Sequence, residues 1–271
     1  MAFLSCEEML AAARTQNISL AEAVLRSDLA ESRLTEEQSR HGMRHLWHVM
    51  EATSRDYDPA QRSRSGLSGG DAAKVEQAHR AGRSYGGDYL AEVTAEALKT
   101  AECNACMKRI VAAPTAGSCG VLPAVLLPLA RAGEADETAI CEALYVAAGF
   151  GQVIAARATL AGAEGGCQAE VGSASGMAAA ALVHARGGTP AQMASACAMA
   201  LQNVLGLVCD PVAGLVEVPC VYRNVGGVSQ AISAAQLALS GVACPISLDE
   251  MILTMRDVGD AMPSSLRETG E

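Results

Sequence analysis

The sequence has few aromatic residues. Its 271 residues include two Phe and one Trp, and aromatic residues make up 3% of the chain, although half of it is apolar. A core of this size must therefore be filled by Ala, Gly and aliphatic side chains, and small side chains allow helices to pack at short interaxial distances. Clean alternation of apolar and polar residues, the pattern of a half-buried strand, is also rare. The composition predicts an all-α protein packed from small-residue helices.

Lysine is also scarce, with only Lys74, Lys99 and Lys108 in the chain. A pyridoxal-phosphate enzyme needs a lysine for its Schiff base and a cup for the phosphate, and none of the three lies in a serine-x-lysine context beside a strand. The sequence also lacks a G-x4-G-K-[ST] loop and the context of a dinucleotide fingerprint. These absences argue against pyridoxal phosphate and against a bound nucleotide.

Basic residues are outnumbered, with 30 acids against 20 bases and a net charge of −10. Nucleic-acid-binding domains are usually basic, so we expect no nucleic-acid partner. Residues 1–10 lack the basic and apolar regions of a signal peptide, and ten cysteines without such a signal do not indicate a disulfide framework. The uncharged run 110–130 is interrupted by prolines and glycines. We therefore expect a cytoplasmic protein with no membrane partner.

The sequence predicts three helix starts near the N-terminus. Each is a capping box, in which a Ser or Thr precedes a Glu or Gln by three positions. The pairs are Ser5 with Glu8, Ser19 with Glu22, and Thr35 with Gln38. We divide the chain into an N-terminal helical segment, residues 1–60, and a larger helical domain, residues 61–271.

Apolar periodicity and end signals predict the later helices. We place them over residues 71–81, 87–107, 136–160, 173–185, 189–207 and 228–239, with a last capped helix starting at Ser247. On the third N-terminal helix, His41, His45 and His48 gather on one face. This face is either a weak metal site, since a closed site needs further ligands, or a polar stripe that faces solvent or a subunit.

Two loops of small residues each lead into a helix. Ser68, Gly69 and Gly70 precede the helix at 71–81, and a second loop contains Thr115, Ala116, Gly117 and Ser118. Free backbone N–H groups at a helix N-terminus suit a small anion such as a carboxylate. The alternative for the first loop is an ordinary flexible turn in which Gly70 or Asp71 caps the helix.

The cysteines fall into two groups. Cys103 and Cys106 share one helix face and are interpreted as structural thiols, and Cys119 is either a metal ligand or a small core residue. Cys167, Cys209 and Cys220 each lie within two residues of Gly or Pro, in the spacing Cys-x41-Cys-x10-Cys. This spacing matches neither zinc fingers nor electron-transfer ferredoxins. Three separated thiolates fit an iron–sulfur cluster with one open iron, a Lewis acid able to assist loss of a hydroxyl. The alternative is three buried thiols that fill space.

Several segments carry a family resemblance. They are SGLSGGDAAK (65–74), NACMKRIVAAPTAGSCGVLPAVL (104–126), GAEGGCQAEVGSASGMAAAA (162–181), NVLGLVCDPVAGLVEVPCVYRN (203–224) and MPSSLRET (262–269). The chain closely resembles the alpha subunit of the iron–sulfur-dependent bacterial L-serine dehydratases. The resemblance implies a helical iron–sulfur catalytic domain over 61–271 and elimination of water from L-serine, giving pyruvate and ammonia. It further implies a [4Fe–4S] cluster on Cys167, Cys209 and Cys220, and a substrate pocket lined by Ser68–Gly70 and Thr115–Ser118.

The family also uses a beta region with an S-H-T-x-G-P segment, which this sequence does not contain. The resemblance therefore implies a separate beta subunit as partner. It leaves the fourth iron ligand to water, substrate or a small anion. Candidates for the base that removes the Cα proton are Lys108, a partner-chain histidine or an alkoxide on the cluster. Two other functions remain open: a cluster-dependent lyase that releases sulfide from cysteine, and a non-catalytic helical partner subunit with structural metal.

Overall fold

The computed structural model describes residues 2–267, and within that range the regular structure is helical, with no strand. The predicted all-α class is confirmed. The α-helices are α1 (Cys6–Gln16), α2 (Leu20–Ser32), α3 (Glu36–Arg55), α4 (Asp71–Arg80), α5 (Gly87–Ala105), α6 (Val121–Arg131), α7 (Glu137–Arg157), α8 (Gly162–Gly165), α9 (Ser173–Ala185), α10 (Pro190–Gln202), α11 (Cys220–Leu239) and α12 (Leu248–Ala261). A π-helical turn, Gln168–Gly172, leads into α9, and short 3-10 turns lie at Val212–Gly214 and Ser264–Leu266.

Helix α9 is the centre of the molecule. It packs against α6, α7, α10 and α11, and each residue from Ser173 to Val183 is buried. A helix that is covered on all sides must present small side chains wherever a neighbour comes close. At Gly176, a Cβ atom would lie 2.8 Å from Cys197 Sγ on α10. The small-residue packing expected from the lack of aromatic residues is therefore found in this helix.

The N-terminal helices pack onto the same core. Helix α2 lies on α7, where a Cβ at Gly149 would be 2.5 Å from Val24 Cγ2 and 2.8 Å from Met9 Sδ. Trp47 of α3 belongs to the same continuous cluster of buried apolar residues. The division at residue 60 stays a prediction.

The predicted helix starts are found. Ser5, Ser19 and Thr35 each accept a hydrogen bond from the backbone N–H three residues on. Among these three, the reciprocal side-chain bond of a full capping box forms at Thr35. The caps at Thr189 and Ser247 form full boxes as well. These local signals therefore locate helix starts correctly on the surface of the molecule.

Two predicted boundaries are wrong. Helix α11 begins at Cys220, eight residues before the predicted start at 228, and it includes the Gly226-Gly227 pair. A Cβ at Gly227 would lie 3.0 Å from atoms of Val121, Val171 and Ser175, so close packing outweighs the low helix propensity of glycine. Helix α10 ends at Gln202 rather than at 207.

The side chain of Gln168 fixes the turn after α10. Its Oε1 accepts from Gly206 N at 2.9 Å, while its own backbone N donates to Leu207 O at 3.0 Å. These bonds hold residues 206 and 207 against the π-helical turn.

Helix α7 is the one helix in residues 2–267 that is long and apolar enough to cross a membrane by length and composition. About two thirds of its apolar window, 67%, is buried inside the protein. Core helices show this same combination, so α7 is weak evidence for a membrane segment.

A larger side chain at a buried position of α9 tests how tightly the neighbouring helices pack against it. Ala179 is fully buried, and replacing it with Leu should lower the free energy of unfolding by roughly 1–3 kcal/mol, because the neighbouring helices must separate. Urea denaturation followed by circular dichroism measures the change. Ala30→Leu is the matched control, since Ala30 is exposed on α2. Equal stability of the two variants would show that α9 is loosely packed.

Candidate metal and substrate site

Two of the predicted ligand cysteines lie together with a carboxylate. Sγ of Cys167, Sγ of Cys209 and a carboxylate oxygen of Glu170 all lie within 4.8 Å of one another. Among residues 2–267 this is the one group of three or more His, Cys, Asp or Glu side chains arranged to hold a metal ion. Both thiols are 1% exposed. Glu170 faces back towards Cys167 from the π-helical turn, a type of turn that is frequent at functional sites.

Cys220 lies near this group but is not a member of it. It is the first residue of α11 and is 6% exposed. Burial and the nearby charge of Cys167 raise the pKa of the Cys220 thiol to about 12. The structure therefore brings all three predicted cysteines into one region and places two of them in contact.

The pair Cys167 and Cys209 is arranged to carry a negative charge. A hydrogen bond with Cys209 lowers the pKa of Cys167, against the effect of burial, and the Arg223 guanidinium lowers it further. The same hydrogen bond, together with burial, raises the pKa of Cys209. The hydrogen bond and Arg223 thus favour the thiolate form of Cys167, which is the form that ligates metals.

Arg223 also holds the Cys209 segment in place. Its Nη1 donates to Val208 O at 2.8 Å and its Nη2 donates to Asp210 Oδ1 at 2.7 Å. These acceptors flank Cys209 on both sides. Because Arg223 is in the first turn of α11, it couples the position of Cys209 to that of Cys220.

Gly162 lies directly against the cluster formed by Cys167, Glu170 and Cys209. A Cβ at Gly162 would lie 2.8 Å from Glu170 Oε2 and 3.2 Å from Cys209 Sγ. Any larger residue would occupy the space next to the sulfurs. Soft thiolate donors select zinc, copper(I) or iron–sulfur clusters, so the donor set and the glycine wall fit an iron–sulfur group.

The second small-residue loop lies beside Glu170. A Cβ at Gly117 would be 3.3 Å from Glu170 Oε2, and the hydroxyls of Thr115 and Ser118 are 3.0 Å apart. Asn224 fixes this loop: its Nδ2 donates to Gly117 O at 2.8 Å, and its Oδ1 accepts from Gly120 N at 2.8 Å. The loop backbone is therefore held rigidly next to the cluster of Cys167, Glu170 and Cys209. Within the loop, Ala116 is exposed, and its carbonyl accepts from Asn104 Nδ2.

The first small-residue loop is tied to the segment that carries Cys220. Glu217, buried three residues before Cys220, accepts hydrogen bonds from Ser63 Oγ at 2.7 Å and Ser65 Oγ at 2.8 Å. Ser63 Oγ in turn accepts from Ser68 N at 3.2 Å. The predicted substrate loop and the predicted ligand segment are thus joined through one buried carboxylate.

A second buried carboxylate binds the backbone N–H groups at the N-terminus of α4. Glu102, 1% exposed, accepts from Gly70 N at 3.2 Å and from Asp71 N at 2.7 Å. The anion position predicted at this helix N-terminus is thus taken by a side chain of the protein itself. The parts of the loop left to contact a ligand are Ser68 and Gly69, and their role in substrate binding stays a prediction.

Lys108 lies on the far side of the first loop. Its Nζ donates to Asp56 O at 3.3 Å. It lines a groove of about 590 Å³ with His45, His48 and Arg109, and a small adjoining cavity that reaches Gly69. No contact in the described part of the chain joins Lys108 to Cys167, Glu170 or Cys209.

The histidine face has its own partners. His45 Nε2 lies 3.0 Å from Arg109 Nη2, and His48 Nε2 lies 3.5 Å from Glu137 Oε1. His41 is exposed on the same helix. Of the other predicted thiols, Cys103 donates to Thr53 O and Cys119 donates to Thr100 O, and both are buried.

Comparison with known proteins identifies the family of this chain. A family model described as serine dehydratase alpha chain matches residues 15–271. The chain belongs to the serine dehydratase alpha chain family. The resemblance inferred from the motifs is thereby confirmed. The motif at 262–269 ends on two residues that lie outside the described range.

Named relatives of this family extend over nearly the whole chain. The probable L-serine dehydratase alpha chain of Bacillus subtilis is 44% identical over 269 residues, which are 99% of this chain and 90% of the relative. The L-serine dehydratase alpha chain of Peptoniphilus asaccharolyticus is 42% identical over 267 residues, with 98% and 91% covered. The L-serine dehydratase of Streptomyces coelicolor is 35% identical over 274 residues, covering 98% of this chain and 59% of that longer protein.

Sequence reasoning missed the polar residues that organise the site. Glu170 and Arg223 each stand three residues after a predicted ligand cysteine, Cys167 and Cys220 respectively, and Asn224 follows directly. A search for charged residues one turn from each cysteine would have found Glu170 and Arg223. The same search would also have found Glu217, three residues before Cys220, but not its distant partners Ser63 and Ser65, and it would not have found Glu102 as a partner of Gly70 and Asp71.

Removing the Glu217 carboxylate should loosen the first loop. In Glu217→Ala, trypsin should cleave after Arg62 or Arg64, both exposed, roughly tenfold faster, because two hydrogen bonds to a buried charged group are lost. Mass spectrometry of timed digests identifies the cut. Glu31→Ala, an exposed position on α2, is the control. An unchanged rate in Glu217→Ala would show that the loop does not depend on this carboxylate.

Proposed function

We propose that this chain is the cluster-binding alpha chain of an L-serine dehydratase, which eliminates water from L-serine to give pyruvate and ammonia. The observation that carries the proposal is the meeting of the Cys167, Glu170 and Cys209 group with the glycine loop at Gly117. The names of the relatives supply the substrate. We further propose a cytoplasmic location.

The proposed cofactor is a [4Fe–4S] cluster held by Cys167, Cys209 and Cys220. When bound, such a cluster supplies a Lewis-acidic iron that takes up the hydroxyl leaving the substrate Cβ. Thiolate charge is needed for ligation, and Arg223 beside Cys167 favours it. Burial of the sulfurs keeps bulk water away from the reacting hydroxyl.

The proposed substrate contacts come from the two loops. Thr115–Ser118 presents two hydroxyls and backbone groups held by Asn224, and these suit the substrate carboxylate. Ser68 and Gly69 complete the pocket from the other loop, which Glu217 ties to the cysteine segment. Such fixed donors position the carboxylate without further loop ordering.

The proposed partner is a separate beta chain carrying an S-H-T-x-G-P segment. Its support is the Streptomyces coelicolor relative, of whose length this chain matches 59%. We assign the Cα base to that partner rather than to Lys108, because Lys108 donates to the carbonyl of Asp56 in the groove beyond the first loop.

Anaerobic reconstitution tests the function. The chain produced together with a candidate beta chain, and then treated with iron and sulfide, should show a broad visible absorption that air bleaches. It should release pyruvate from L-serine. The chain without its partner should take up iron but turn over L-serine at most weakly. Bound zinc with no pyruvate release, or sulfide release from cysteine in place of pyruvate from serine, would contradict the proposal.

Serine substitution tests the ligand set. Cys167→Ser, Cys209→Ser and Cys220→Ser should each lose the visible absorption and lower turnover by more than about 100-fold, since a metal ligand is removed. Cys103→Ser is the matched control, because a hydroxyl there keeps the hydrogen bond to Thr53 O. Iron analysis and pyruvate assay measure both effects. Full iron content in Cys220→Ser would remove that residue from the set.

A further inference from the structure

A groove lies between helix α3 and the segment that follows α5. Its volume is about 590 Å³, and cavities that bind small molecules measure roughly 300–1,000 Å³. Val49 and Ala52 of α3, together with Cys103 of α5, supply its apolar surface. Lys108 and Arg109 line the same groove. Apolar surface and positive charge therefore meet in a space large enough for a small molecule.

The two cations of this groove have no acidic partner. Lys108 Nζ donates to the backbone carbonyl of Asp56 at 3.3 Å. Arg109 Nη2 lies 3.0 Å from His45 Nε2. Within residues 2–267 neither cation forms an ion pair. Asp56 is the one acid among the described residues that line the groove, and its Oδ1 is 3.0 Å from Arg55 Nε. Both cations are therefore available to an anion from outside the chain.

The backbone that carries the two cations is fixed against α3. Thr53 Oγ1 donates to Arg109 O at 3.1 Å, and Cys103 Sγ donates to Thr53 O at 3.7 Å. Met107, at φ 59°, turns the chain at the end of α5, and Lys108 N donates to Cys103 O at 2.9 Å. Because this turn is already ordered, a ligand that binds there has less conformational entropy to offset.

The contact between Arg109 and His45 works against a metal ion on the histidine face. A guanidinium can only donate, so His45 Nε2 accepts this hydrogen bond and is not free to ligate a metal. His48 Nε2 lies 3.5 Å from Glu137 Oε1. The nearby cations also repel a metal ion. This part of the groove is therefore suited to an anion.

We propose that the groove binds a small organic anion. Its carboxylate or phosphate group contacts Lys108 and Arg109, and its apolar body lies against Val49 and Ala52. A guanidinium presents five N–H donors in a planar fork that matches such oxyanions, and the contact with His45 engages Nη2 alone. The inference goes beyond the proposed function, because these residues are not those proposed to hold the cluster or L-serine.

Four probes separate the head group from the apolar body. Phenyl phosphate and benzoate carry the two head groups, benzyl alcohol is the neutral analogue, and inorganic phosphate lacks the apolar body. Calorimetric titration of the full chain, and of its complex with a candidate beta chain, gives the dissociation constants. Phenyl phosphate or benzoate should bind at least about tenfold more tightly than benzyl alcohol, because charge-assisted hydrogen bonds form. Inorganic phosphate should bind more weakly than phenyl phosphate, because it buries no apolar surface.

Two variants test the two parts of the groove. Arg109→Gln should raise the dissociation constant of the preferred anion by roughly 10–100-fold, since hydrogen bonds to a charged group are lost. Ala52→Leu fills the apolar surface and should weaken phenyl phosphate more than inorganic phosphate. Arg44→Gln is the matched control, because Arg44 is exposed on the same helix, loses the same charge and does not line the groove. Circular dichroism should show equal helix content in all three variants.

Each other outcome overturns the inference. Equal affinity for benzyl alcohol and the anions, or no binding of either anion, would show that the groove does not recognise charge. An equal loss of affinity in Arg44→Gln would assign the effect to the overall charge of α3. Binding to the chain alone that disappears in the complex would make the groove a contact surface for the partner. Displacement of the anion by L-serine in the complex would make the groove part of the substrate site.

Discussion

The site depends on two side chains in the first turn of α11. Arg223 donates to Val208 and Asp210 on either side of Cys209, and Asn224 bonds to Gly117 and Gly120. The Cys209 segment and the second small-residue loop, which is distant in sequence, are thereby both held at the start of α11. The helix itself is fixed by its contact with α9 through Gly227. Precise placement of the thiols and the second loop therefore follows from tight packing of small residues in the core.

Buried carboxylates hold the rest of the site. Glu102 binds the amides at the start of α4, and Glu217 binds the hydroxyls of Ser63 and Ser65. Each acid replaces hydrogen bonds that the loop backbone or hydroxyls would otherwise make to water, so the loops keep one conformation. In a chain of net charge −10, these acids are structural elements of the loops and are not only surface charges.

The sequence allowed the fold class, the capped helix starts and the extent of α9 to be predicted, since these depend on local pattern. Thr35 and Ser247 cap as their neighbours at the third position indicate. The start of α11 could not be predicted, because it depends on the contact of Gly227 with Val121 and Val171. Cysteine spacing identified the region of the thiols. Its spacing of three residues from Cys167 marks Glu170 as a candidate, but its distance from the sulfurs depends on the π-helical turn, which has no simple sequence signal.

The depth of the sulfurs has a consequence for biosynthesis. Cys167 and Cys209 are each 1% exposed, and Cys209 lies within the segment that Arg223 binds to α11. In the proposed function these sulfurs hold a cluster several atoms across, and their low exposure leaves little of them accessible from solvent. Under the proposed function, loading such a group after folding would require the segment at Val208 and Asp210 to separate from α11, which would break the hydrogen bonds that Arg223 donates to it.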